Sequence, residues 1–135
     1  MRSRPLRRTL ARAVLVGVVL ATAIAADPLS VSPTASRAEI LWWFDSVPNS
    51  HVVMAAPHTW QYSFVASDGR ALEALSVALV RDGYEIVMLE GGATPTLLMA
   101  RVELHSPLTL WQRNQELRQT ARRHGAGYAG VALKD

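Results

Sequence analysis

From residue 58 onward the apolar residues of this chain keep switching period, and the order of those switches constrains its fold more than any other feature. Trp60, Tyr62, Phe64 and Ala66 alternate with Gln61, Ser63, Val65 and Ser67, the period of a strand with one apolar face. After Ser67-Asp68-Gly69, a turn that also caps a helix, Leu72, Leu75, Ala78 and Leu79 recur at helical spacing. Asp82-Gly83 stops that helix, glycine taking the left-handed conformation that follows a last turn. Tyr84 to Glu90 reads as a second strand, and Gly91-Gly92 with Pro95 connects it to a third. In that third strand Leu98, Ala100, Val102 and Leu104 form the apolar face, and Met99, Arg101, Glu103 and His105 form the other. Ser106-Pro107 opens a second helix with an inner stripe of Leu110, Leu117 and Ala121 and a wet face that includes Arg113 and Glu116. His124-Gly125 closes it before a fourth strand, Tyr128 to Leu133. The order βαββαβ predicts an α+β ferredoxin-like sandwich. Its four-stranded antiparallel sheet carries both helices on one face, with the first and third strands central.

Residues 1–25 differ in kind. Five arginines (Arg2, Arg4, Arg7, Arg8, Arg12) and no acid precede the apolar run Ala13 to Ala26. Small residues at Ala23-Ile24-Ala25 complete the three-part pattern of a secretory signal peptide, with cleavage expected after Ala25. The run is shorter than the roughly 20 apolar residues that span a bilayer comfortably. An uncleaved N-terminal membrane anchor is the alternative, and either reading sends the domain out of the cytoplasm, to the periplasm or beyond. Residues 26–57 read as a linker and aromatic pre-domain segment. Pro28, Pro33 and several hydroxyl residues make Asp27 to Arg37 a linker with little reason to pack. Ala38 to Phe44 (AEILWWF) is expected to dock on the domain, or else to present Trp42 and Trp43 as a contact site. Residues 58–135 form the domain.

Charge and composition narrow the chemistry. The chain carries 14 Lys+Arg against 11 Asp+Glu, a formal net charge of +3. Setting aside the five leader arginines leaves nine bases against eleven acids, so the remainder stands at −2. A mildly acidic domain lacks the basic face that phosphates require, and direct nucleic-acid binding is not expected. Trp60, Tyr62 and Phe64 could stack bases on an open sheet, but the third strand supplies no matching aromatics and the three read as core. With 0 cysteines there are no disulfides, thiolate metal sites or cysteine nucleophiles. Arg70 follows a loop with one glycine and an acid that would repel phosphate, so it reads as a solvated first-turn residue. His51, His58, His105 and His124 form no helical i, i+4 pair, and neither a nucleophile elbow nor paired carboxylates stand out. No cofactor, metal or catalytic residue is therefore assigned. The polar side of the sheet, with Gln61, Ser63, Arg101, Glu103 and His105, is the candidate partner surface.

The C-terminal segment carries a resemblance. Glu116-Leu117, Ala121 and then His124-Gly125-Ala126-Gly127-Tyr128-Ala129-Gly130 resemble the end of the RraB family, protein inhibitors of ribonuclease E. Asp82-Gly83-Tyr84-Glu85 is similar to that family's passage from first helix to second strand, so the resemblance spans about residues 58–135. His124, Gly125, Tyr128 and Gly130 match the family motif; Ala126, Ala129 and Val131 stand where it has a glycine, an aspartate and a tryptophan. The resemblance implies a non-enzymatic regulatory domain that binds a protein. Ribonuclease E is cytoplasmic, so an exported domain needs a partner of another identity. A cytoplasmic inhibitor of ribonuclease E is the alternative, and an enzyme of unrecognised type the second.

Overall fold

The computed structural model describes residues 29–47 and 53–134. The leader and its expected cleavage site lie outside these residues, as does His51. The elements run β1 (Ser30–Val31), α1 (Arg37–Ser46), β2 (His58–Val65), α2 (Gly69–Arg81), β3 (Glu85–Glu90), β4 (Thr96–Glu103), α3 (Pro107–Arg123) and β5 (Gly127–Leu133). Each helix begins where a side chain takes up an orphan backbone donor. Ser36 Oγ accepts from the Glu39 amide while Glu39 Oε1 accepts from the Ser36 amide, a reciprocal capping box. Asp68 caps α2 through the Arg70 amide at 2.9 Å. Ser106 and Thr109 cap α3, whose first residue is Pro107. Gly83 and Gly125, with φ of 95° and 75°, supply the left-handed residue that ends α2 and α3.

The fold is α+β, and its five strands pair antiparallel in the order β1-β5-β2-β4-β3. The expected sheet of four strands with two helices is thus corrected, among the described residues, to five strands with three helices. Both additions come from residues 29–47, the stretch whose first part reads as a linker. Val31 pairs with Val131 and is buried, and the Leu133 amide donates to the Leu29 carbonyl at 2.7 Å. One buried valine in register, with the Leu29 carbonyl bonded beside it, is enough to add a short strand. Helix α1 buries Ile40, Trp43 and Phe44, the i, i+3, i+4 face, with Trp43 6.1 Å from Trp60 between ring centroids. Trp42 points the other way and is 70% exposed.

Strand β2 is the middle strand and is flanked by β5 and β4, so both strands expected to be central are interior, as is β5. Trp60, Tyr62 and Phe64 lie in the core with Leu72, Leu75 and Leu79 of α2 and Leu110, Leu117 and Ala121 of α3. The phase of β4 is the reverse of the expected one. Trp60 stands opposite Arg101, Tyr62 opposite Met99 and Phe64 opposite Leu97. Directly opposed residues share a face, so Leu97, Met99, Arg101 and Glu103 lie on the helix side. Leu98, Ala100 and Val102 lie on the open face, and Val102 is 68% exposed. Both phases of this strand carry apolar residues, and pairing to the aromatic face of β2 selects the less uniformly apolar one.

Candidate functional site

The reversed phase of β4 carries three charged or titratable residues under the helix layer, where they meet the polar edge of α3. Glu103 is the hub. Tyr62 Oη donates to its Oε1, Arg113 Nη2 donates to its Oε2 at 2.5 Å, and His105 Nε2 lies 3.3 Å from Oε1. His105 Nε2 is also 3.0 Å from Tyr62 Oη, and its Nδ1 is 3.0 Å from Thr109 Oγ1, so both ring nitrogens have partners. Trp60 Nε1 donates to the Glu103 carbonyl at 3.1 Å, and the Trp60 ring meets the His105 ring edge-on at 5.1 Å. Arg113 also grips Glu116, at 3.2 Å to each carboxylate oxygen. The guanidinium of Arg101 stacks over the Tyr84 ring at 5.0 Å.

Electrostatics follow from this geometry. Burial alone would raise the Glu103 carboxyl, but hydrogen bonds from His105, Tyr62 and Arg113 outweigh it and hold the group down at about 2. Burial, with the Glu103 charge adding to it, pushes the Tyr62 phenol far above its ordinary value. Burial likewise raises Tyr84 to about 12, against the pull of Arg113. Burial works against the Arg113 charge, yet Tyr84 and Glu103 hold the guanidinium more firmly protonated than usual. The result is an ionised carboxylate that accepts three hydrogen bonds, beside a histidine engaged at both nitrogens. Tyr84 Oη and Arg113 Nε are buried without a hydrogen-bond partner among the described residues, and both are donors. This arrangement fastens the end of β4 to β2 and α3.

A second buried pair anchors the N-terminal strand. Tyr128 Oη donates to Asn114 Oδ1 at 2.6 Å, and Asn114 Nδ2 donates to the Ser32 carbonyl at 3.3 Å. Burial raises the Tyr128 phenol.

The candidate partner surface therefore divides. Gln61 and Ser63 are on the open face, whereas Arg101, Glu103 and His105 are on the helix side, Glu103 and His105 within the polar cluster. Arg113, placed on the wet face by its helical position, is the cation of that cluster. The polar roles of Tyr62, Tyr84, Arg113 and Asn114 escaped the sequence reading. One signal was available: Asn114 continues the Leu110, Leu117, Ala121 stripe, and a polar residue on an inner stripe calls for a buried polar partner. The family-motif residues take structural positions. His124 is the C-cap of α3, its Nδ1 2.9 Å from the Thr120 carbonyl. Gly125 has a positive φ, Tyr128 holds Asn114, and Gly130, with φ of 127°, sits where β5 shifts register against β2. Among the described residues no three His, Asp or Glu side chains gather to hold a metal ion, and no helix is long and apolar enough to cross a membrane.

No curated protein matches the sequence. The model of the RraB family, described as regulator of ribonuclease activity B, matches residues 44–131, from the end of α1 through most of β5. That is more than half of the chain, and the resemblance at His124, Gly125, Tyr128 and Gly130 falls inside it. This chain belongs to the RraB family.

Proposed function

We propose that this chain is a regulator that acts by binding a protein rather than by turnover, and that residues 1–25 direct it out of the cytoplasm to a partner there. The family match over residues 44–131 carries the reading, since the family is described as regulating a ribonuclease activity. The Glu103 cluster supports the non-enzymatic part. The carboxylate and the histidine spend their hydrogen bonds on neighbouring side chains, a role that joins β4 to α3. The leader supports export through its basic start, apolar run and small residues.

The family description, regulation of a ribonuclease activity, also favours a second reading, which the resemblance makes direct inhibition of ribonuclease E in the cytoplasm. Fractionation and N-terminal sequencing of the C-terminally tagged chain separate the two. A mature chain starting near Ala26 outside the cytoplasm supports the first. An intact cytoplasmic chain whose addition slows RNA cleavage by purified ribonuclease E supports the second. Substrate turnover abolished by a single surface substitution would overturn both.

A further inference from the structure

The sheet ends at β3, and among the described residues no strand pairs with its outer edge. The opposite edge is the two-residue β1, so β3 is the long free edge, the kind that sheets ordinarily blunt. An independent feature lies beside it. The close of α3 approaches one flank of α2, where a Cβ on Gly125 would stand 3.8 Å from the Ala71 Cβ. Helix α2 buries Leu72, Leu75, Ser76 and Leu79, so its opposite flank, toward β3, carries Glu73, Val77 and Val80. Ile86 and Leu89 pair with Met99 and Leu97 and so share the helix side of the sheet. Val77, Val80, Ile86 and Leu89 are 52%, 48%, 49% and 40% exposed, an apolar groove between helix and sheet edge.

We propose that this groove takes an extended segment of a partner protein as a sixth strand, with apolar side chains at alternate positions facing the groove and basic side chains opposite Glu85 and Glu90. The proposal rests on the protein-binding reading above and gives the partner its chemistry. Main-chain bonding along a free edge, with a helix flanking the added strand, is a recurrent mode of peptide capture. Charge selects the occupant. Asp82, Glu85, Glu90 and the flanking Glu73 are acidic, against Arg70 in the first turn of α2 on the same flank; Arg81 is at the solvent pole of α2, and Arg101 stacks on Tyr84. A second copy fits poorly. Antiparallel self-pairing that keeps apolar residues on the groove side sets Glu85 against Glu90 at both ends, and like charges directly opposed repel. The register also gives the spacing. Glu85 pairs with Ala100 and Glu90 with Thr96, so the irregularity near Val87 is absorbed in β3 and a regular neighbouring strand meets the two carboxylates four residues apart.

The probe is the blocked peptide Thr-Arg-Val-Thr-Val-Arg-Thr, fluorescently labelled, against its counterpart with glutamate in place of arginine. Binding to the full chain is measured by anisotropy, with amide NMR to place it. The arginine peptide is expected to bind at least tenfold more tightly and to move the amides of β3 and α2. Leu89→Lys is expected to weaken it at least tenfold with circular dichroism unchanged, and Glu85→Gln with Glu90→Gln to erase the preference. Equal affinities, no binding of either peptide, or shifts confined to the open face around Gln61 and Ser63 overturn the proposal. So does a stable dimer that Leu89→Lys dissolves. Partner binding that survives Leu89→Lys defeats the groove and leaves the regulatory reading standing. Peptide capture without any effect on a ribonuclease or extracytoplasmic partner does the reverse.

Discussion

Replacing Glu103 by glutamine tests the account of the buried cluster, because it keeps the shape and removes the charge. The side chain is 9% exposed, so solvent screens its contacts weakly. A carboxyl that titrates at 4.5 in the ordinary state and at about 2 in the fold favours its ionised form by about 3 kcal/mol, at about 1.4 kcal/mol per tenfold change in proton affinity. The value is depressed, so this stability is fully present above the unfolded value and is lost as the pH falls through the folded one. Working the linkage through, roughly 2 of those 3 kcal/mol are gone by pH 3. The Glu103→Gln chain is expected to be less stable than the parent by about 3 kcal/mol at pH 7, with Arg113 left short of its carboxylate. The gap should narrow to about 1 kcal/mol near pH 3. Urea unfolding of both chains between pH 7 and pH 3 measures it. A gap that stays constant over this range would mean that the loss is one of packing and that the charge at Glu103 is not what binds β4 to α3.

Four further substitutions probe three separate joints. Tyr128→Phe removes the donor to Asn114 and leaves a buried amide oxygen short of a partner, at a cost of about 1–3 kcal/mol in denaturant unfolding and with faster hydrogen exchange at Val31. Trp43→Ala empties a buried site against Phe44 and Trp60 and should cost about 3–5 kcal/mol, while its neighbour Trp42→Ala should stay within about 0.5 kcal/mol by the same measurement. Ser106→Ala opens the capping box of α3 and should cost about 1 kcal/mol in thermal unfolding.

The sequence was most readable where one period ruled. Helix α3 keeps a single apolar stripe, and β2 sets three aromatics on one side, so their identity and inward faces follow from spacing. Strand β4 defeats that logic because Leu97 and Met99 compete with Leu98, Ala100 and Val102, and only the cross-strand register decides between them. The error propagated to the candidate surface, since Arg101, Glu103 and His105 changed sides together. A two-residue strand such as β1 has no period to detect, and its place depends on the Asn114 contact with Ser32, 82 residues away in sequence. Helix α1 did leave a trace in Ser36 and Glu39, the spacing of a capping box, overlooked beside the prolines. Gly125 of the family motif was legible as a helix stop and holds that position, while Gly130 lies within β5.

The pairing of Ser30 with Ala132 sets the entry and exit of the described chain side by side on one edge of the sheet. Tension applied between them would load the β1–β5 bonds one after another, as a zipper, instead of all together in shear. The first strand would peel away at low force while the four strands behind it stayed paired. A tether attached upstream of Leu29 would likewise hold the domain by that edge. The β3 groove, four strand spacings or about 19 Å across the sheet, would then point away from the anchor.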